Sequence, residues 1–61
     1  MNKHTYLFKI AVDGGAAFQK EEIMSESAEY YEQAENAAFK KLYDKYANVI
    51  AFFKVVQWRR Y

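Results

Sequence analysis

The chain has 61 residues, a formal net charge of +1 and no cysteine. At this length folding buries only about 60% of the surface that the unfolded chain exposes, so one small core is expected. The lack of cysteine excludes disulfides and thiolate metal sites, and the small net charge gives little reason to expect strong nonspecific nucleic-acid binding. We therefore expect residues 1–61 to form one domain with no cofactor and no metal.

The first element is a strand. From Thr5 to Val12 the residues alternate between two sets, which is the period of a β-strand. Tyr6, Phe8, Ile10 and Val12 point to one side of it, and Thr5, Leu7, Lys9 and Ala11 point to the other.

A hairpin follows. Asp13, Gly14 and Gly15 form a strong turn signal, because glycine supplies the positive φ that tight hairpin turns require. The return strand is predicted over Ala16 to Met24. A two-residue turn and a three-residue bulged turn place opposite residue sets on the core side, so the sequence leaves the hairpin register open.

A helix is predicted next, with Ser25 and Ser27 both plausible as its N-cap and the helical period beginning at Ala28. Asn48 is the expected C-terminal stop, since asparagine tolerates the left-handed conformation. One apolar stripe runs along this helix at steps of three and four residues: Tyr31, Ala34, Ala38, Leu42 and Tyr46.

Residues 49–61 read as a final strand that is apolar on both sides and ends in a basic and aromatic cluster. Regular alternation places on one side Ile50, Phe52, Val56 and Trp58. It places on the other Val49, Ala51, Phe53 and Val55. Which side faces the helix stays open.

The predicted fold class is α+β with the order ββαβ, a three-stranded antiparallel sheet of order 2-1-3 with one helix packed on one face. This order leaves the last strand at a sheet edge, and proteins pair, cover or charge such an edge. A homodimer through this edge, or through the face away from the helix, is the expected assembly.

Catalysis is not expected. A nucleophile needs an adjacent base, but His4 is the sole histidine, and the two serines are assigned to helix capping. The remaining candidates are acidic side chains predicted to be solvated at a strand edge and a helix start: Glu21, Glu22, Glu26 and Glu29.

Protein binding fits the surplus of apolar surface, because interface centres are enriched in Tyr, Trp, Phe and Arg. Trp58 is the strongest single candidate. The full predicted contact surface consists of Leu7, Phe52, Lys54, Val56, Trp58, Arg59, Arg60 and Tyr61. The alternative function is binding of single-stranded nucleic acid by the same C-terminal residues, through stacking on rings and cations along phosphates.

The layout resembles short ββαβ proteins encoded by phages and mobile elements, some anti-CRISPR proteins among them. The resemblance rests on the strand Thr5–Val12, the turn, the helix start at Ser25–Glu29, the alanine-spaced helix and the closing strand. It implies a non-enzymatic protein that blocks a host complex by occupying a surface, often as a dimer. It carries no functional residue across.

The hydropathy of the sequence indicates where in the cell the protein is expected. The longest clear apolar stretch, Val49 to Phe53, is far shorter than the roughly 20 residues that cross a bilayer. We expect no membrane partner and a cytoplasmic protein, in the host cytoplasm if it is phage-encoded.

Overall fold

The computed structural model describes residues 2–16 and 18–61. It contains strands β1 (His4–Asp13), β2 (Gln19–Ala28) and β3 (Phe52–Arg60), and one helix, α1 (Tyr31–Lys45), between β2 and β3. All strand pairs are antiparallel and the sheet order is β2-β1-β3. The predicted α+β class, element order and sheet order are confirmed.

The core lies between α1 and one face of the sheet. The alternation predicted for β1 is confirmed, because Tyr6, Phe8, Ile10 and Val12 are all buried. From the helix, the predicted stripe supplies Ala34, Ala38 and Leu42 to the same core. Small alanine side chains let the helix lie close to the sheet, mainly over β1 and β2.

The hairpin register is fixed by the pairing of Asp13 with Gln19, so the predicted start of β2 at Ala16 is wrong. The Gly14 N–H donates to the Phe18 carbonyl at 2.9 Å, and Gly15 has φ +70° while its N–H donates to Asp13 Oδ1. The predicted return strand also included Ala17, which lies outside the described residues.

Strand β2 runs further than predicted. Ser25 and Ser27 pair with Leu7 and Thr5 inside the sheet, so neither caps the helix. The preference of serine for N-cap positions is outweighed here by the backbone hydrogen bonds that pairing with β1 provides. The N-cap residue is Tyr30, whose N–H donates to the Gln33 side chain at 3.3 Å.

The helix ends at Lys45, before the predicted stop at Asn48. The Tyr46 N–H still donates to the Leu42 carbonyl at 2.9 Å, and Tyr46 itself leaves the helical conformation. No non-glycine residue in the described chain has a positive φ, so Asn48 does not adopt the left-handed cap that was expected of it.

Two glutamates predicted to be solvated are largely buried. Glu26 is 8% exposed, and Lys41 Nζ lies 2.9 and 3.1 Å from its two carboxylate oxygens. The Glu22 side chain is 13% exposed and bonds to Lys45 and Tyr46. Both face α1 because the register gives the even-numbered residues of β2 the same side as the core residues of β1.

Candidate docking surface on the third strand and the sheet face

The sheet face opposite α1 is not covered by any element of the described chain. Paired residues of neighbouring strands project from the same face, so the register identifies the residues of this face. We call it the open face. It comprises Thr5, Leu7, Lys9, Ala11 and Asp13 from β1, Gln19, Glu21, Ile23, Ser25 and Ser27 from β2, and Phe52, Lys54, Gln57 and Arg59 from β3.

A β-bulge in β3 divides the predicted contact surface. Lys9 pairs with Gln57 but the next β1 residue, Ile10, pairs with Val55, which leaves Val56 as the extra residue. One extra residue reverses the alternation beyond it. The predicted grouping of Phe52, Val56 and Trp58 on one side is therefore wrong.

Most of the predicted surface still comes together. Leu7, Phe52, Lys54 and Arg59 lie on the open face. Tyr61 continues it beyond the end of β3, where its N–H donates to the Thr5 carbonyl at 2.9 Å. By contrast, Trp58 pairs with Phe8, and Arg60 pairs with Tyr6, which places both on the helix side of the sheet. Val56 lies at the bulge.

Trp58 packs at the margin of the core. Its ring centroid lies 4.6 Å from that of Tyr31 and 6.1 Å from that of Tyr6, yet the residue is 50% exposed because α1 lies mainly over β1 and β2. Burial raises the pKa of Tyr31, whose hydroxyl donates to Glu35 at 3.1 Å. Trp58 therefore joins the sheet to the helix and stays half exposed at β3.

The middle of the open face contains a shallow depression of about 220 Å³. Leu7, Lys9, Ile23, Gln57 and Arg59 line it, together with Phe8 and Trp58. Ile23 is 60% exposed and Phe52, at the far end of β3, is 73% exposed. Sequence reasoning missed Ile23 and Lys9, because only the hairpin register decides that β2 turns Ile23 outward beside Lys9.

The charged residues of β3 are all cations, and they lie on both faces of the sheet. Within residues 2–16 and 18–61, Lys54, Arg59 and Arg60 have no carboxylate within ion-pair distance, and the Arg59 guanidinium lies 5.5 Å from the Tyr61 ring centroid. Lys9 differs, since its Nζ lies 3.6 Å from Glu21 Oε1. Exposed pairs of this kind contribute roughly 0–1 kcal/mol, so Lys9 remains available to a partner.

The acidic groups that β2 directs toward α1 are paired internally. The Tyr46 hydroxyl donates to Glu22 Oε2, and Lys45 Nζ lies 2.9 Å from the same atom. These bonds, the one from Tyr46 first, lower the pKa of Glu22 to about 2. Tyr46 also stacks on Phe18 with ring centroids 5.6 Å apart, so the cluster ties the helix end to the hairpin.

The described residues include no group of three or more His, Asp or Glu side chains that could hold a metal ion. Over the same residues, α1 is neither long enough nor apolar enough to cross a bilayer. Comparison with family models, with curated proteins and with solved structures finds no match to this chain.

Proposed function

We propose that the protein is a non-enzymatic module that binds another protein through the open face and the adjoining strand β3. The observation that carries this proposal is the exposure of Ile23 and Phe52 on a sheet face that the helix does not cover. Leu7 and Ile23 line the same depression on this face, and exposed apolar groups on an uncovered face mark interaction sites. Phe52, Tyr61 and Arg59 are also of the residue types that interfaces favour.

A second copy of the chain is the simplest partner, but the charges oppose its simple arrangements. A symmetric face-to-face pair centred on β1 brings together the Lys9 side chains of the two copies. An antiparallel pair of β3 strands brings the Lys54, Arg59 and Arg60 side chains of one copy to the same cations of the second copy, with no acidic side chain on either strand. Like charges placed directly opposite destabilise strand pairing. A different, acidic protein therefore suits the surface better than a second copy.

Matched variants test the docking surface. Ile23→Ser and Phe52→Ser alter the open face, while Tyr43→Ser alters an exposed ring of α1. Each is attached to a resin and incubated with extract of the source cells. We expect a captured protein that Tyr43→Ser retains and the open-face variants lose. Equal capture by all of them would contradict the proposal.

Sedimentation velocity of the purified protein at micromolar concentration tests the homodimer separately. The opposed charges lead us to expect a monomer at low salt. A dimer that Phe52→Ser dissociates would instead make the second copy the occupant of the open face.

Single-stranded nucleic acid is the second candidate, and the order of side chains along β3 favours it. On the open face this strand presents Phe52, Lys54, Gln57, Arg59 and then Tyr61, with rings at both ends and no acidic residue. Ring stacking and cations together hold single strands, and such binding weakens steeply with salt. A fluorescence titration with oligothymidylate at two salt concentrations decides between the candidates.

The layout resembles that of some anti-CRISPR proteins, and this resemblance suggests a more specific role. In this role the protein inhibits a host complex by occupying its surface. Addition of the purified protein to a reconstituted CRISPR nuclease and its DNA substrate tests it. Cleavage that stays unchanged at excess protein would remove this form of the proposal.

A further inference from the structure

Strand β3 forms one edge of the sheet, and its outer side has no neighbouring strand in the described chain. The Tyr61 N–H bonds inward to Thr5, and backbone groups of a strand alternate between its two sides. The N–H and C=O groups of the helix-side residues therefore point outward along the edge. These residues are Phe53, Val55, Trp58 and Arg60.

The two edges of the sheet differ in charge. On the β2 edge, Lys20 lies 3.5 Å from Glu22, so opposite charges are paired within the strand. On the β3 edge the charged side chains are all cations, and none has an ion-pair partner in the described chain. An incoming strand at β3 would therefore meet open backbone groups and positive charge together.

From this arrangement, and resting on the proposed protein-binding function, we infer that β3 binds an extended acidic segment of the partner protein as an added antiparallel strand. Such strand addition draws affinity from main-chain hydrogen bonds and specificity from alternate side chains. The self-pairing that an open edge invites is opposed by the cations that each copy of β3 would bring to it, Lys54, Arg59 and Arg60.

The register defines the segment. Side chains opposite Lys54 and Arg59 project from the open face and should be acidic. Side chains opposite Val55 and Trp58 project from the helix side and should be apolar. On the inner side of β3, Lys54 pairs with Ala11 and Arg59 with Leu7, so β1 spans the distance between the two cations in four residues. An added strand without a bulge should span that distance in the same number of residues. The segment therefore carries acidic residues four positions apart, with apolar residues at the alternate positions.

A short peptide of alternating Glu and Val is the probe, and fluorescence of Trp58, the only tryptophan, is the readout. Two isomeric peptides serve as matched controls, one N-methylated at every Val and the other at every Glu. The Val amides face β3 in the inferred register, so their methylation removes donors that the edge needs. We expect methylation at Val to abolish binding and methylation at Glu to leave the affinity within about threefold.

A charge-reversal variant provides the second test of the inferred strand addition. The double variant Lys54→Glu with Arg59→Glu should bind the Glu/Val peptide about tenfold or more weakly, and a Lys/Val peptide should restore binding to it. This rescue shows that the variant is folded.

Equal binding of the methylated isomers, absence of rescue, or preference for oligothymidylate over the peptide would overturn the inference. Capture of a partner that depends on Ile23 but not on Lys54 and Arg59 would overturn strand addition and leave the proposed function intact.

Discussion

Glu22 lies on the helix side of β2, where Tyr46 and Lys45 both bond to its Oε2 atom. These donors stabilise the ionised carboxylate and hold its pKa near 2, below its ordinary value of 4.5. A group whose pKa is lower in the folded state stabilises the fold above its unfolded pKa. The stabilisation is lost as the pH falls towards the folded pKa.

Acid should therefore weaken the fold partly through Glu22. Between about pH 5 and pH 2 we expect the wild-type protein to lose roughly 1 kcal/mol more free energy of unfolding than Glu22→Gln does. Urea denaturation at several pH values measures this difference. Glu32→Gln, which changes an exposed carboxylate, is the control and should keep the wild-type pH profile. Parallel pH profiles for wild type and Glu22→Gln would refute the assignment.

The elements differ in how far local sequence determines them. The alternation in β1 and the stripe of α1 are set by residues within each element, so both are predictable from the sequence. The end of β2 is not, because Ser25 and Ser27 are held in the sheet by pairing with β1 rather than by their own preference. The bulge in β3 is also invisible in the sequence, since Val56 becomes the extra residue only against the register of β1.

The close approach of α1 to the sheet depends on its alanines. Ala38 is fully buried, so Ala38→Leu would force extra volume into the core and cost about 1–3 kcal/mol of unfolding free energy. The exposed Asn36→Leu should change it by less than about 0.5 kcal/mol. Urea denaturation of both variants makes the comparison. A tolerated leucine at position 38 would mean that the helix does not lie close to the sheet.

The bulge can be tested by deletion. Removing Val56 converts β3 into a regular partner of β1 and leaves each neighbouring side chain on its present face. We expect unfolding free energy within about 1 kcal/mol of wild type and unchanged Trp58 emission.

Deletion of Ser25 from the regular strand β2 is the contrast. It forces one half of that strand onto the wrong face, so we expect a cost of about 2 kcal/mol or more. If both deletions are equally damaging, Val56 is not the extra residue.

The whole molecule is a small sheet with one side closed by a helix and the other side left open. The sequence predicted this imbalance, and five of the eight predicted contact residues share the open face or its extension: Leu7, Phe52, Lys54, Arg59 and Tyr61. It did not predict that Trp58 turns to the helix side, because that depends on the bulge. Trp58, the strongest candidate from the sequence, is thus partly a core residue. Ile23 and Lys9, which the sequence did not indicate, belong to the docking surface.

Amide chemical-shift mapping of the isotope-labelled protein with the Glu/Val peptide tests the central claim most directly. We predict that the shifted amides lie along β3, from Phe52 to Tyr61, and on the neighbouring open-face residues of β1, while the solvent side of α1 stays unchanged. Shifts concentrated on α1, or no shifts at millimolar peptide, would contradict the assignment of β3 and the open face as the docking surface.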